Sequence, residues 1–540
     1  MWRRQPVRTG VIGLATAVFL VCCVLPIVYL LATALTDGSR TPVTSLLLDA
    51  RQRGLLYNTA FLGVGTALCA TVLGVPLGTA LARVPLRRKG FARLALAAPA
   101  LLPPYIVALA WVYLGGSRGL LATAMGRDVL SEWTYSLPAA IAVLSVVFYP
   151  LSMLATEVAM RRIDGRLEEA ALVVAPPARV LWRITLPLAA PSVLAAALVI
   201  FVLAVSEFGV PGLLRVRVYT TEVFTAFAAL YDFTRAMLMA VPLLVVCAVI
   251  AAAAAALAED RLVTPRRRTG TPPPLVESWH RPAELLVAGV MVAALGLPVG
   301  ILAREALSTR SLAAVFAGSG DAIANSLALS ALGATVIVSV AVWLGYARAR
   351  AGRRVGQLVD MAFVVLFAVP STIVGVGLIG LWNRPGLLGM AYGTDVMVLL
   401  AYLARFLPVA ALILAAVIRY VPLAHEEAAA VSGAGWLRTM ARIVAPQVRL
   451  GVSTAWLITF VLAFGELGAT ILVTPPGEST LPIRIYTIIA NTPASHVATL
   501  ALLQTAVIFT PLALIGAAFS VRPSTCAQGV PSVVEGRLRR

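Results

Sequence analysis

The chain has 540 residues, of which 60% are hydrophobic and 12% charged, against about 25% charged in soluble domains. A mean hydropathy of +0.92 over this length excludes a soluble core and leaves a multi-spanning helical membrane protein, because alternating barrel strands are absent. The formal net charge of +19 is carried almost wholly by arginine, Lys89 being the only lysine, and its clustering at the ends of apolar runs marks membrane topology rather than a nucleic-acid surface.

Arg3, Arg4 and Arg8 precede an apolar run from about Gly10 to Leu35. Ala32-Thr33-Ala34 resembles a cleavage site, but the run exceeds the roughly 7–15 residues of a signal-peptide core, so it reads as the first span. Twelve spans are expected in all, near 10–34, 57–83, 94–116, 136–157, 189–214, 236–257, 284–304, 324–348, 359–382, 395–418, 450–473 and 498–520. The polar stretch Glu259–Pro282, with Arg266-Arg267-Arg268 and Pro272-Pro273-Pro274, reads as a linker. The expected division is a first membrane domain over 1–258, a linker over 259–283, a second membrane domain over 284–521 and a tail over 522–540.

The two halves repeat at fixed intervals. Asn58 to Gly78 and Asn325 to Gly345 are each 20 residues, and Asn58 to Pro103 and Asn325 to Pro370 are each 45. Pro150 to Glu169 and Pro408 to Glu427 are each 19, and Leu25-Pro26 and Leu297-Pro298 open the two halves. Six spans per half is an even number, so the repeats are parallel. The arginine-rich loops, including Arg83 to Arg93, Arg161 to Arg183, Arg348 to Arg354 and Arg438 to Arg442, fall on one side. That side is expected to be cytoplasmic, with both termini and the linker.

Two of these polar loops are copies of each other. One begins Glu169-Ala170-Ala171 and closes at Pro187; the other begins Glu427-Ala428-Ala429 and closes at Pro446. Pro187 to Glu207 and Pro446 to Glu466 are again 20 residues each. The second copy carries Gly433 and Ile443 at fixed positions, whereas the first has Ala175-Pro176-Pro177 and is one residue shorter. Repetition of one polar loop points to a surface used twice, for a partner present in two copies.

Glu207 in Ser-Glu-Phe-Gly and Glu466 in Gly-Glu-Leu-Gly are expected in or near the outer half of the fifth and eleventh spans. Intramembrane carboxylates face a wet pathway or an interhelical partner, and both readings stand at this point. Arg405 is a further intramembrane charge and a candidate partner for Glu466; Pro103-Pro104 and Pro370 can break the third and ninth spans beside a cavity, or simply kink them. The five cysteines lack metal-ligand spacing and the three histidines, His280, His425 and His496, lie far apart, so no metal site, catalytic constellation or disulfide framework is expected.

The pattern Glu427-Ala428-Ala429, Gly433, Ile443, Pro446 resembles the EAA loop of binding-protein-dependent ABC-transporter permeases, and the resemblance extends over essentially the whole chain as two fused permease domains. It implies an all-α membrane fold of the type I importer (MetI-like) class, with two six-helix repeats. It also implies a bacterial inner-membrane location, a substrate-binding protein and two copies of a cytoplasmic ABC ATPase as partners. The coupling residues would be Glu169, Ala170, Ala171 and Ala175 in the first loop, and Glu427, Ala428, Ala429 and Gly433 in the second. Glu207, Glu466, Arg405, Pro103 and Pro370 would mark the translocation path.

The sole lysine has no P-loop context, so ATP would be used by a separate subunit and this chain would bind no cofactor and be no enzyme. The fused layout, Ser206-Glu207-Phe208-Gly209 with Tyr219-Thr220-Thr221-Glu222, and the stretch Glu466 to Gly477 resemble ferric-iron uptake permeases most; thiamine and aminoethylphosphonate permeases share the layout. A major-facilitator secondary transporter is the rival class. Gly345, Arg350, Gly352, Arg353 and Arg354 match its loop motif in part, but Ala349 stands where that motif has Asp and nothing corresponds in the first half.

Overall fold

The computed structural model describes residues 6–37, 49–117, 119–125, 129–262, 279–309 and 311–520. Most of the expected linker and the whole of the expected tail lie outside the described residues. Within them, regular structure is helical throughout. Eleven helices are long and apolar enough to cross a membrane, or twelve if one bent pair counts as a span.

Among the described residues nine principal helices recur in each half in the same order, with shorter helical turns between them. The first half has α1 (Pro6–Thr36), α2 (Ala50–Arg83), α3 (Lys89–Ala97), α4 (Pro104–Gly115), α5 (Leu137–Arg161), α6 (Gly165–Leu172), α7 (Pro177–Ser206), α8 (Tyr219–Ala228) and α9 (Phe233–Leu262). The second has α10 (His280–Ala306), α11 (Gly320–Ala349), α12 (Arg353–Phe367), α13 (Ser371–Trp382), α14 (Val396–Arg419), α15 (Leu423–Val431), α16 (Trp436–Phe464), α17 (Leu481–Ile488) and α18 (Ala494–Ser520). α9 continues to Leu262 and α10 starts at His280, so helix extends into both ends of the stretch expected as linker.

The sequence repeats have structural causes. α2 packs on α5 and α11 on α14. A side chain at Gly78 would collide with the Met153 carbonyl, and a Cβ at Gly345 would lie 2.9 Å from the Ala415 nitrogen. Small residues of this kind let membrane helices approach backbone to backbone. At the opposite end of α2, the Thr59 hydroxyl accepts from the Tyr219 N–H at 2.9 Å; the Ser326 hydroxyl at the same position of α11 accepts from Leu481 at 2.6 Å. Each hydroxyl satisfies an orphan N–H at the start of α8 or α17.

π-helical turns also recur in register. They occupy Leu20–Val24 and Val292–Gly296 ahead of Leu25-Pro26 and Leu297-Pro298. A second pair, Leu181–Thr185 and Met440–Val444, precedes Pro187 and Pro446. A proline lacks the N–H that the preceding turn would accept, so the ladder is widened there.

The two halves are interlocked by their first spans. α1 packs on α13 and α11 of the second half, while α10 packs on α4 and α2 of the first. Residues pointing outward, among them Leu68, Val72, Val249 and Leu285, are 63–74% exposed. This apolar exterior is what a lipid solvent requires.

The third and ninth expected spans are interrupted at prolines. The third, read as 94–116, is α3, a 3-10 turn at Ala98–Leu101, and then α4. The ninth, read as 359–382, is α12 and α13 meeting at 92°. Pro103 and Pro370 adopt nearly the same extended geometry, φ −56°, ψ 128° and φ −55°, ψ 138°, directly before α4 and α13. Proline fixes φ and donates no N–H, so the chain stops and restarts at these points.

Candidate functional site: the repeated loops and the junction between the halves

The repeated polar loops fold as α6 and α15, followed by the starts of α7 and α16. Asp164 precedes α6, and its carboxylate accepts from the Arg166 N–H, a capping interaction that starts the helix. Glu169 and Ala170 are exposed on α6, and Ala171 and Ala175 are half-buried. On α15, Glu427 and Ala428 are exposed and Ala429 is buried; Gly433 is exposed beyond its end. Gly433 has φ +79°, the left-handed region that glycine enters without Cβ strain. Ala175, at the equivalent place, does not have positive φ, so the two loops turn by different means.

The residue before each motif, which the sequence reading passed over, is the one that faces inward. Glu168 is fully buried and accepts from Arg83 at 2.9 Å and from the Thr185 hydroxyl at 2.8 Å. Glu426 is 5% exposed and accepts from the Arg350 Nε at 2.9 Å and the Tyr346 hydroxyl at 2.8 Å. Arg83 and Arg350 are equivalent residues at the ends of α2 and α11. The doubled glutamates, Glu168-Glu169 and Glu426-Glu427, held the signal. Successive helical residues point about 100° apart, so only one of each pair can face out.

Glu207 and Glu466 lie in breaks, not inside spans as expected. α7 ends at Ser206 and α16 at Phe464, since Gly209, Gly465 and Gly468 weaken the helix there. The Glu207 carboxylate accepts from the Gly209 N–H at 2.9 Å. Glu466 is buried, and its two oxygens accept from the Ala469 and Thr470 N–H groups at 2.9 Å each. Both act as side-chain caps on the short turns that follow, Gly209–Leu213 and Thr470–Val473. Arg405 is not bonded to Glu466; its guanidinium donates to the Val369 carbonyl at 2.6 Å. It stays within Coulombic reach of both carboxylates.

These breaks meet across the halves. A Cβ on Gly465 would stand 2.7 Å from Pro103 Cγ, so the second half's glutamate turn lies against the first half's proline break. The Ser206 hydroxyl of the first half donates to the Ala368 carbonyl of the second at 3.2 Å. Tyr105 on α4 donates to Gln504 on α18 at 2.5 Å, and Gln504 in turn donates to the Phe464 carbonyl at 3.1 Å. Pro103 and Pro370 are both buried in this junction. This buried junction gathers two carboxylates, one guanidinium and hydroxyl groups; among the described residues no cluster of His, Cys, Asp and Glu suits a metal.

Residues 74–269 and 337–522 each match the family described as the binding-protein-dependent transport system inner membrane component. The Fe(3+)-transport system permease protein FbpB 2 of Haemophilus influenzae is 24% identical over 86% of this chain and 89% of its own length. The molybdenum transport system permease protein ModB of Mycobacterium tuberculosis is 31% identical over 29% of this chain and 60% of its own. The putative 2-aminoethylphosphonate transport system permease protein PhnU of Salmonella typhi is 33% identical over 20% and 40% respectively. With two matched repeats, two clamped loops and an apolar helical exterior, the chain belongs to the binding-protein-dependent transport system inner membrane components, as a fused, two-repeat, multi-pass ABC importer permease of the inner membrane.

Proposed function

We propose that this permease imports ferric iron, delivered by an extracytoplasmic binding protein and driven by two copies of a separate cytoplasmic ATPase. α6 and α15 are the docking helices, so the termini and the linker are cytoplasmic. The observation that carries the ATPase reading is the pair of short helices, each clamped to the bundle through a buried Glu–Arg pair and each presenting apolar residues outward. Val173, Val174 and Val431 are 83–84% exposed there, in an arrangement that suits burial against a partner. Glu169, Ala170, Ala171, Ala175, Glu427, Ala428, Ala429 and Gly433 then form or flank the contact.

Closure of the ATPase pair on ATP would move the clamped loops. α7 and α16, each continuous from its loop to the glutamate turn, would carry that motion to Glu207 and Glu466. The junction with Pro103, Pro370 and Arg405 would then open around the solute. Two carboxylates against one guanidinium favour a cationic cargo, and the relative matched over most of this chain is an Fe(3+) permease. Molybdate or a phosphonate, read from the shorter matches, would meet net negative charge.

Reconstitution tests this reading. Proteoliposomes holding the chain with its ATPase and binding protein should accumulate radiolabelled iron only with ATP, and should not accumulate molybdate or 2-aminoethylphosphonate. Accumulation driven by an ion gradient with no ATPase present would overturn the importer mechanism; ATP-dependent uptake of an oxyanion would overturn the substrate.

A further inference from the structure

At the same end of the bundle as the Arg83–Glu168 clamp, a crevice of about 320 Å³ opens between α3 of the first half and α10 of the second. Arg87 and Arg88 stand on one rim, and Phe91, Val287 and Met291 form apolar wall. The crevice faces outward: Arg87 and Arg88 are exposed and Phe91 is 64% exposed. Leu94, one turn on from Phe91, is 41% exposed. α3 is therefore an amphipathic helix with an apolar face left for lipid and a basic start.

Three further features mark this corner. Arg88 has φ +52°, a left-handed conformation that non-glycine residues seldom adopt and that places consecutive basic side chains at the mouth. Positive charge is in excess: Glu157 is shared between Arg93 and Arg161, and Glu168 is taken by Arg83. Burial, then the charges of Arg161, Arg93 and Arg83, outweigh Glu157 and lower the Lys89 pKa. One acid lines the crevice, Glu284, whose oxygens accept from the Arg87 N–H at 3.4 Å and face His280 Nδ1 at 3.5 Å. The corresponding loop of the second half differs in charge, with Val355, Gly356 and Asp360 at the positions of Arg88, Lys89 and Arg93.

We infer that this crevice is a seat for an anionic phospholipid of the leaflet it opens onto, its phosphate between Arg87 and Arg88 and an acyl chain along Phe91 and Met291. The occupant is a lipid rather than free phosphate because the basic rim is continuous with apolar wall and an apolar helix face, which inorganic phosphate would leave unused. Since the seat joins α3 of one half to α10 of the other, occupation would brace the two halves against each other. The inference is independent of the transported solute.

Native mass spectrometry of the purified full-length chain, titrated with phosphatidylglycerol or phosphatidylcholine of equal chain length, tests it. Phosphatidylglycerol should be retained preferentially at a saturable single site. Arg87→Gln with Arg88→Asn, in which Asn tolerates the left-handed backbone, should weaken retention by about 25-fold, the product of about fivefold per basic residue at an anionic surface. Ala288→Trp, which fills the crevice and leaves every charge in place, should abolish the site. Arg353→Gln with Arg354→Gln in the second half should leave it intact. Equal binding of the two lipids, full retention in Ala288→Trp, an equal loss in the second-half variant, or displacement of lipid by millimolar inorganic phosphate would each overturn the inference. Melting curves of all variants, matched to the parent protein, ensure that a loss is read from folded chains.

Discussion

Arg83 and Glu168 form an ion pair of 2.9 Å with side chains 1% and 0% exposed, joining the end of the second span to the helix that carries the first Glu-Ala-Ala motif. Arg350 and Glu426 repeat the relationship in the second half. Each pair makes the motion of a surface helix inseparable from that of a membrane span, because a buried charge cannot leave its partner without a large desolvation cost.

Loss of one partner of the clamp should therefore be severe. Arg83→Ala is expected to destabilise the first half by about 3–5 kcal/mol, seen as a lower detergent melting temperature. Arg83→Met with Glu168→Leu should recover much of that stability without restoring ATP-driven uptake, because packing returns but directional charge pairing does not. Full uptake in the double variant would show that the pair serves stability alone.

The left-handed turn at Gly433 makes the second loop the more sensitive of the two. Gly433→Pro cannot reach φ +79° and should reduce uptake at least about tenfold, a barrier change of roughly 1.4 kcal/mol. Pro176→Ala, at an exposed position with an extended backbone, should change uptake little. Uptake at matched membrane levels decides it; equal losses would contradict the different turns of the two loops.

Glu466 and Glu207 should not respond alike to substitution by glutamine. Both oxygens of Glu466 cap backbone N–H groups, and glutamine offers only one acceptor oxygen. Glu466→Gln leaves a buried donor unmatched, at about 1–3 kcal/mol. Glu207 is held chiefly by the Gly209 N–H on one oxygen, with a weaker contribution from the Val210 N–H, so Glu207→Gln should melt closer to the parent than Glu466→Gln. If the pair also lines the path, both variants should slow iron uptake. Unchanged melting and unchanged uptake in the double variant would leave the carboxylates without either role.

Close helix approach at Gly78 predicts a folding defect rather than a transport defect. Gly78→Leu must displace the Met153 carbonyl and should abolish accumulation of the folded chain in the membrane. Gly54→Leu, on the same helix with open space around it, should accumulate normally. Size-exclusion profiles of membrane extracts compare the two, and a normal Gly78→Leu profile would remove close packing as the reason for the repeated glycine.

The sequence by itself determined the membrane class, the twofold repeat and the two copied loops, and it marked the prolines at which a span breaks or kinks. Hydrophobic run length, arginine placement and fixed intervals are properties of the linear chain, and a bilayer leaves few folds able to satisfy the backbone. Only the tertiary structure decided that Glu168 and Glu426, not their exposed neighbours, hold the loops, because helix phase and distant partners set which glutamate turns inward. It also decided that Glu466 caps a turn and Arg405 holds the Val369 carbonyl. Opposite charge in one bilayer suggests a pair, but backbone groups freed by a helix break are nearer and must be satisfied first. The exchange of first spans between halves, and the contact of Pro103 with Gly465, join residues hundreds of positions apart. Such contacts depend on which helix faces meet, and linear spacing carries no record of that.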